Sequence, residues 1–95
     1  MTAAEANVAF DDDRIRVTNW TFATAGASTG EHRHEFDYVV VPITGGTFTV
    51  TSPDGSVRTL TQLAGTSYVG TAGTEHEVVS STDADAVFVE VELKR

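Results

Sequence analysis

The three histidines of this 95-residue chain have the type and spacing of metal ligands. His32 and His34 form a His-x-His pair, and His76 follows the glycine-containing stretch 70–75. Residues two apart on a β-strand point to the same face, roughly 7 Å apart, so both imidazoles can reach one ion at about 2.0–2.1 Å each. A third imidazole from another strand would complete a face of three nitrogens. We therefore predict that the three histidines bind one divalent transition metal.

The ligand type narrows the choice of metal without fixing it. Neutral imidazole suits Zn, Cu, Fe and Ni. The chain has no cysteine that could add a thiolate ligand or a disulfide. The expected cofactor is therefore a divalent transition metal, with Fe, Zn or Ni as candidates. The glycines read as turn residues and form no phosphate-binding loop, so no other cofactor-binding residue is expected.

Length and charge limit the classes of partner. Ninety-five residues make one domain, 1–95, in which residues 1–7 are small and polar and are expected to be disordered or extended. Six basic against 14 acidic residues give a net charge of −8. Binding to nucleic acid or to an anionic membrane needs clustered Lys and Arg, so neither partner is expected. Because the sequence has no long apolar run and no leader pattern, a cytoplasmic protein is expected. The expected partner is a small-molecule ligand or substrate.

Strand and turn residues dominate the chain. Thr and Val are frequent, helical periodicity is nearly absent, and Pro53-Asp54-Gly55 is a strong hairpin turn. Eight short strands at close spacing are typical of a sandwich or barrel, so we predict an all-β fold. The predicted strands are 8–10, 14–22, 32–41, 47–52, 57–62, 66–69, 75–81 and 86–94.

The spacing of histidines and glycines between residues 26 and 80 is similar to the two sequence motifs of the cupin family. In the first motif, glycines stand before and after a His-x-His pair; in the second, two glycines precede a single histidine. The matching residues are Gly26, His32, His34 and Gly45 in the first motif, and Gly65, Gly73 and His76 in the second. The family's Glu, Pro and Asn are replaced here by Tyr38, Thr71 and Ser80.

The resemblance implies a double-stranded β-helix, the jelly-roll barrel of this family. Residues 32–42 look like a subgroup of small bacterial cupins, some of which are linked to β-alanine breakdown. Cupins of this size are commonly dimers, and the edge strands of a small barrel invite pairing, so a homodimer is expected. The long strand 14–22, with Trp20 and Phe22, is the predicted interface element, although both residues could equally be core.

Tyr38 is the candidate catalytic residue. It has the same strand parity as His32 and His34, so its side chain should point into the barrel. Three roles remain open: a core aromatic, a hydrogen-bond partner for a bound water or substrate, and a phenolate ligand. The last requires the pKa of the phenol to fall from its ordinary value of about 10.

Other residues around the histidines are assigned by the same parity. Four apolar residues are expected to line a substrate pocket: Phe36, Phe48, Val78 and Phe88. Four carboxylates flank the histidines with the opposite parity and are expected on the solvated outer face, with orientation of a histidine as the open alternative: Glu35, Asp37, Glu75 and Glu77.

Three functions follow from this arrangement. The first is a three-histidine metal enzyme, either an oxidoreductase of the dioxygenase type or an isomerase, acting on a small organic acid or diketone. The second is a non-catalytic module that binds a small ligand or a metal. The third is a metal-free, epimerase-type cupin, which usually uses a histidine base paired with an Asp; no inward Asp is expected.

Overall fold

The computed structural model describes residues 2–94, which contain nine β-strands and no helix. Within these residues, no helix could span a membrane. The strands are β1 (Glu5–Asp11), β2 (Ile15–Phe22), β3 (His32–Arg33), β4 (Asp37–Pro42), β5 (Gly46–Thr51), β6 (Val57–Gln62), β7 (Tyr68–Gly70), β8 (Glu75–Ser80) and β9 (Ala86–Leu93).

The strands form two antiparallel sheets. One has five strands in the order β1-β2-β9-β4-β7, and the other has four in the order β3-β8-β5-β6. Several strands alternate between deeply and partly buried residues, most clearly β9, as expected when one face of a sheet is turned to a core. The predicted all-β jelly roll is confirmed.

The predicted strand 32–41 is two strands in different sheets. Bends at Glu35 and Phe36 separate β3 from β4, which carries the chain from the four-stranded sheet to the five-stranded one. The prediction of one continuous strand was therefore wrong. Alternating polar and apolar residues continue through the bends, so the pattern alone does not reveal that the chain changes sheets.

Aromatic rings fill the space between the sheets. The ring centroid of Phe22 lies 5.1 Å from that of Phe48 and 5.5 Å from that of Phe88. Phe22 and Phe48 have no exposed surface. Phe22 therefore belongs to the core, and Trp20 is partly buried and packs against it, which agrees with the core placement that the sequence left open for these two residues.

The first strand is an exposed sheet edge. β1 begins at Glu5, earlier than the predicted start at residue 8, and it pairs only with β2 among the described residues. Every residue of β1 is exposed, including Val8 at 55% and Phe10 at 51%. The edge strand thus has a backbone available for pairing on one side.

Candidate metal centre

The three histidines meet at one point inside the barrel. His34 Nε2 lies 3.1 Å from His32 Nε2 and 3.0 Å from His76 Nε2. One ligand nitrogen from each residue lies within 4.8 Å of the others. His34 is buried and the other two are partly buried. The structure thus brings together the three residues that the sequence predicted as metal ligands.

Strand pairing explains this convergence. His32 on β3 stands directly opposite His76 on β8, which places their side chains side by side. His34 lies just beyond β3 and is held by its backbone: its N–H donates to the Thr74 carbonyl at 2.9 Å, and its carbonyl accepts from the Gly73 N–H at 2.8 Å. Gly73 has a φ of +90°, a conformation that glycine adopts without strain.

The chemistry of the cluster suits a cation. His32 Nδ1 lies 3.0 Å from the Gly30 carbonyl, which can only accept, so Nδ1 carries the proton and Nε2 presents a lone pair to the centre. A single proton on His34 Nε2 cannot serve both neighbouring nitrogens. Nitrogens about 2.1 Å from one ion, at right angles to each other, would lie about 3.0 Å apart, close to the spacing found here. The three residues therefore fit a transition metal.

Burial keeps two of these imidazoles neutral. It lowers the pKa of His34 and of His76 from 6.5 to about 4, and the charge of the neighbouring His32 acts in the same direction. A metal ligand must be unprotonated, so these two side chains are ready to bind a cation over a wide pH range.

Glu90 is a buried carboxyl group beside the site that the sequence analysis missed. It lies on β9, and its Oε1 is 3.9 Å from His34 Nδ1, the ring nitrogen that faces away from the cluster. Burial raises the pKa of Glu90 to about 7, and the nearby Glu92 acts in the same direction, whereas a hydrogen bond from Trp20 opposes them. The signal was available, because Glu90 has the strand parity of Phe88, which the sequence placed inward.

Tyr38 supports His34 through its ring. The two rings are stacked, with centroids 3.8 Å apart and planes 19° from parallel, and Tyr38 is only 5% exposed. The phenol lies over Gly70 on the neighbouring strand, and its hydroxyl has Thr74 as a hydrogen-bond partner. Burial raises the pKa of Tyr38, and the charge of Glu90 adds to the effect, so the environment opposes the phenolate form.

The histidines open onto a small cavity of about 50 Å³. A single water needs roughly 10–15 Å³ of such volume, so the cavity has room for more than one water-sized group. Of the four apolar residues expected to line a pocket, Val78 and Phe88 line this cavity, whereas Phe36 and Phe48 do not. Phe36 lies in the bend between β3 and β4, and Phe48 is packed in the core. Further lining residues that the sequence analysis did not single out include Val40, Val50, Arg58, Leu60, Tyr68 and Glu90.

Three of the four flanking carboxylates have structural partners away from the ligand nitrogens, and the fourth, Glu35, is exposed. Asp37 accepts a hydrogen bond from the Ala72 N–H at 2.8 Å, and Glu77 accepts one from the Ser28 hydroxyl at 2.6 Å. Glu75 pairs with Arg33 at 4.0 Å. Within residues 2–94, the group of potential metal ligands found here contains the three histidines and no carboxylate.

Comparison with curated proteins identifies a close relative. The chain is 45% identical over 91 residues to the β-alanine degradation protein BauB of Pseudomonas aeruginosa, and the match covers 96% of this chain and 94% of the relative. No family model matches the chain.

Solved structures agree with this relationship. A cupin domain from Bordetella pertussis is 41% identical, with a TM-score of 0.93, and the match covers 99% of this chain and 96% of that one. A double-stranded β-helix protein from Klebsiella pneumoniae is 22% identical, with a TM-score of 0.78 and coverage of 97% and 77%. The second likeness supports the fold alone.

Proposed function

Because the chain belongs to the cupin family, we propose that it is a metal-dependent enzyme acting on a small organic acid or diketone. The observation that carries this proposal is the convergence of three Nε2 atoms, with spacings of 3.0 and 3.1 Å, on residues that line a cavity. A divalent ion held by three neutral imidazoles keeps its positive charge and open positions, and it would polarise a bound oxygen atom of the substrate. His32, His34 and His76 would hold this ion.

The protein's own residues supply what such a reaction needs besides the metal. Val40, Val50 and Phe88 give the cavity apolar walls that exclude water. Glu90 supplies a carboxyl group in the same cavity that can accept or donate a proton. Tyr38 holds the ring of His34 by stacking.

The relative from Pseudomonas aeruginosa supports a small organic acid as the substrate. That protein is described as a β-alanine degradation protein, and β-alanine is a three-carbon amino acid with a free carboxylate. A cavity of about 50 Å³ suits a molecule of this size. We extend the link to this chain at the level of substrate class, a short organic acid.

A metal-free function is the second candidate. A carboxyl beside a histidine can form an acid–base pair, as an epimerase-type cupin would require, and Glu90 Oε1 lies 3.9 Å from His34 Nδ1. In that case one histidine would act as a base while the other two line the cavity. Metal content therefore separates the two candidates.

We also propose a homodimer that pairs through β1. Support comes from the exposed edge of this strand and from the apolar side chains of Val8 and Phe10 that it presents to solvent.

The proposed enzyme can be tested with protein loaded separately with Fe(II), Zn(II) and Ni(II). β-Alanine and 3-oxopropanoate serve as probes. Oxygen uptake with the iron form would support dioxygenase chemistry, whereas hydrogen–deuterium exchange on the probe with the zinc or nickel form would support isomerase chemistry. Exchange by metal-free protein that is lost in Glu90→Gln would support the metal-free candidate. Binding without turnover in every form would favour a non-catalytic module.

A further inference from the structure

Arg58 is a charged residue with the strand parity of core residues. It lies on β6 opposite Val50, which in turn lies opposite Val78 on β8. Both valines are buried, at 2% and 6% exposure, so this row of the sheet faces inward. Leu60, two residues further along β6, lines the cavity together with Arg58. The side chain of Arg58 itself is exposed, which places it at the mouth of the cavity.

The charge of Arg58 is available for a ligand. Arg58 takes part in none of the salt bridges found within residues 2–94, whereas Arg16, Arg33 and Lys94 all have carboxylate partners. A chain with a net charge of −8 repels small anions in general. The unpaired guanidinium of Arg58 at the cavity mouth therefore makes the electrostatic potential there more favourable for an anion than elsewhere on the protein.

The position of Arg58 suits a ligand that also reaches the histidines. β6 lies two strands from β8, which carries His76, and two strands span about 10 Å. Arg58 and His76 line the same cavity, so one ligand can contact both the guanidinium and the metal centre. A guanidinium group binds a carboxylate through two parallel hydrogen bonds. The apolar residues of the cavity wall strengthen such a pair, because they lower the local dielectric constant.

We propose that Arg58 binds the carboxylate of the ligand and so selects short oxo acids over neutral diketones. This inference rests on the proposed function, because the other end of the ligand would reach the ion held by the three histidines. Arg58 is thus a specificity residue: it sets which of the two proposed ligand classes binds and takes no part in proton transfer.

Matched ligands test this assignment. Acetoacetate and pentane-2,4-dione share a skeleton and differ in the carboxylate, as do 4-oxopentanoate and hexane-2,5-dione. Their binding to Co(II)-loaded protein is measured by calorimetry and by the visible spectrum of the ion. We expect at least one oxo acid to bind about 10- to 100-fold more tightly than its diketone, which is the usual strength of a hydrogen-bonded charge pair.

Variants then assign this preference to the side chain. Arg58→Gln should remove the preference while Co(II) affinity stays constant or rises, because a repelling positive charge has been removed. A merely damaged site would lose affinity for both the acid and the ion. Arg58→Lys should retain part of the preference. Arg14→Gln, an exposed residue in the turn before β2, is the control for net charge and should behave as the wild type.

Failure of the role assigned to Arg58 can be distinguished from failure of the proposed metal enzyme. If the protein takes up Co(II) but binds acids and diketones equally, or binds neither, the role of Arg58 is refuted and the metal site stands. A preference for acids that persists in Arg58→Gln has the same consequence. If the protein takes up no Co(II), the proposed metal enzyme fails, and the inference about Arg58 fails with it.

Discussion

The phenol ring of Tyr38 fills the space that a side chain at position 70 would need. Tyr38 on β4 stands opposite Gly70 on β7, and a Cβ at Gly70 would overlap the ring. The same ring is also stacked on His34, one of the proposed metal ligands. Gly70 thus permits the position of an aromatic ring that in turn supports a metal ligand.

Gly70→Ala should therefore destabilise the protein by about 1–3 kcal/mol, the usual cost of overpacking. The ring must move away from His34, so metal affinity should fall as well. The double variant Gly70→Ala/Tyr38→Leu removes the collision. Its loss of unfolding free energy should therefore be smaller than the sum of the losses in the two single variants. Urea unfolding of the wild type, the two single variants and the double variant measures these free energies. Additive effects would show that the two residues do not collide.

Tyr38→Phe should keep the metal and the fold, because stacking on His34 does not need the hydroxyl. Tyr38→Glu places a carboxylate where the family's motif has one and should tighten metal binding. Chelator competition measures both affinities. Loss of metal from Tyr38→Phe would identify the phenol as a ligand, and unchanged affinity in Tyr38→Glu would show that position 38 does not reach the ion.

The stability of the metal-free protein should depend on pH through two histidines and one carboxyl group, whose titrations have opposite effects. The pKa values of His34 and His76 fall to about 4 in the fold, so the unfolded chain binds more protons on them between pH 6.5 and 4, and stability is lost as the pH falls through this window. The pKa of Glu90 rises to about 7, so its contribution is fully present below pH 4.5 and is lost as the pH rises to 7. The two histidines outweigh the one carboxyl, so acid should destabilise.

Glu90→Gln should remove the opposing contribution. Between pH 6.5 and 4.5, the slope of stability against pH should increase from about one proton to about two, or from about 1.4 to about 2.7 kcal/mol per pH unit. Urea unfolding of EDTA-treated protein at several pH values measures this slope. Glu31→Gln, which removes an exposed carboxylate, is the control. Equal slopes in the wild type and Glu90→Gln would contradict the burial assigned to Glu90.

The proposed dimer should dissociate when the exposed edge of β1 is charged. Phe10→Lys should shift the protein toward monomer in sedimentation at micromolar concentration, because a lysine on an edge strand disfavours pairing. Leu63→Lys is a matched control, since Leu63 is 64% exposed but lies after β6, away from β1. A monomeric wild type would refute the dimer, and equal effects of both substitutions would refute the role of β1.

The metal ligands were predictable because histidine is rare in this chain and its spacing carries geometric information. The all-β fold was predictable from strand and turn residues, whereas the jelly roll followed from the resemblance of the histidine and glycine spacing to the cupin motifs. The separation of β3 from β4 was not, since it depends on which sheet each segment joins. Phe48 shows the same limit, because parity predicts that a residue points inward but not whether it meets the core or the cavity.

Glu90 and Arg58 show what parity arguments can add. Both are charged residues that have the strand parity of inward-facing neighbours, Glu90 that of Phe88 and Arg58 that of Leu60. A charged side chain at an inward strand position is costly unless it has a partner or a function. That rule identifies Glu90, which is buried, whereas Arg58 has the inward parity but an exposed side chain.

The central claim is that His32, His34 and His76 together hold one divalent metal. The most direct test is the metal content of protein purified without a histidine tag, combined with affinities from chelator competition for the three single alanine variants. Glu75→Ala is the control, because Glu75 adjoins His76 in sequence but pairs with Arg33.

We expect about one ion per wild-type chain and per Glu75→Ala chain. Each histidine variant should bind metal more than about 100-fold more weakly, because even residues that only orient a ligand contribute 10- to 100-fold. The far-UV circular dichroism of all variants should keep its β-sheet form. A wild type without metal after incubation with Fe(II), Zn(II) and Ni(II), or metal content unchanged in all three histidine variants, would contradict the account.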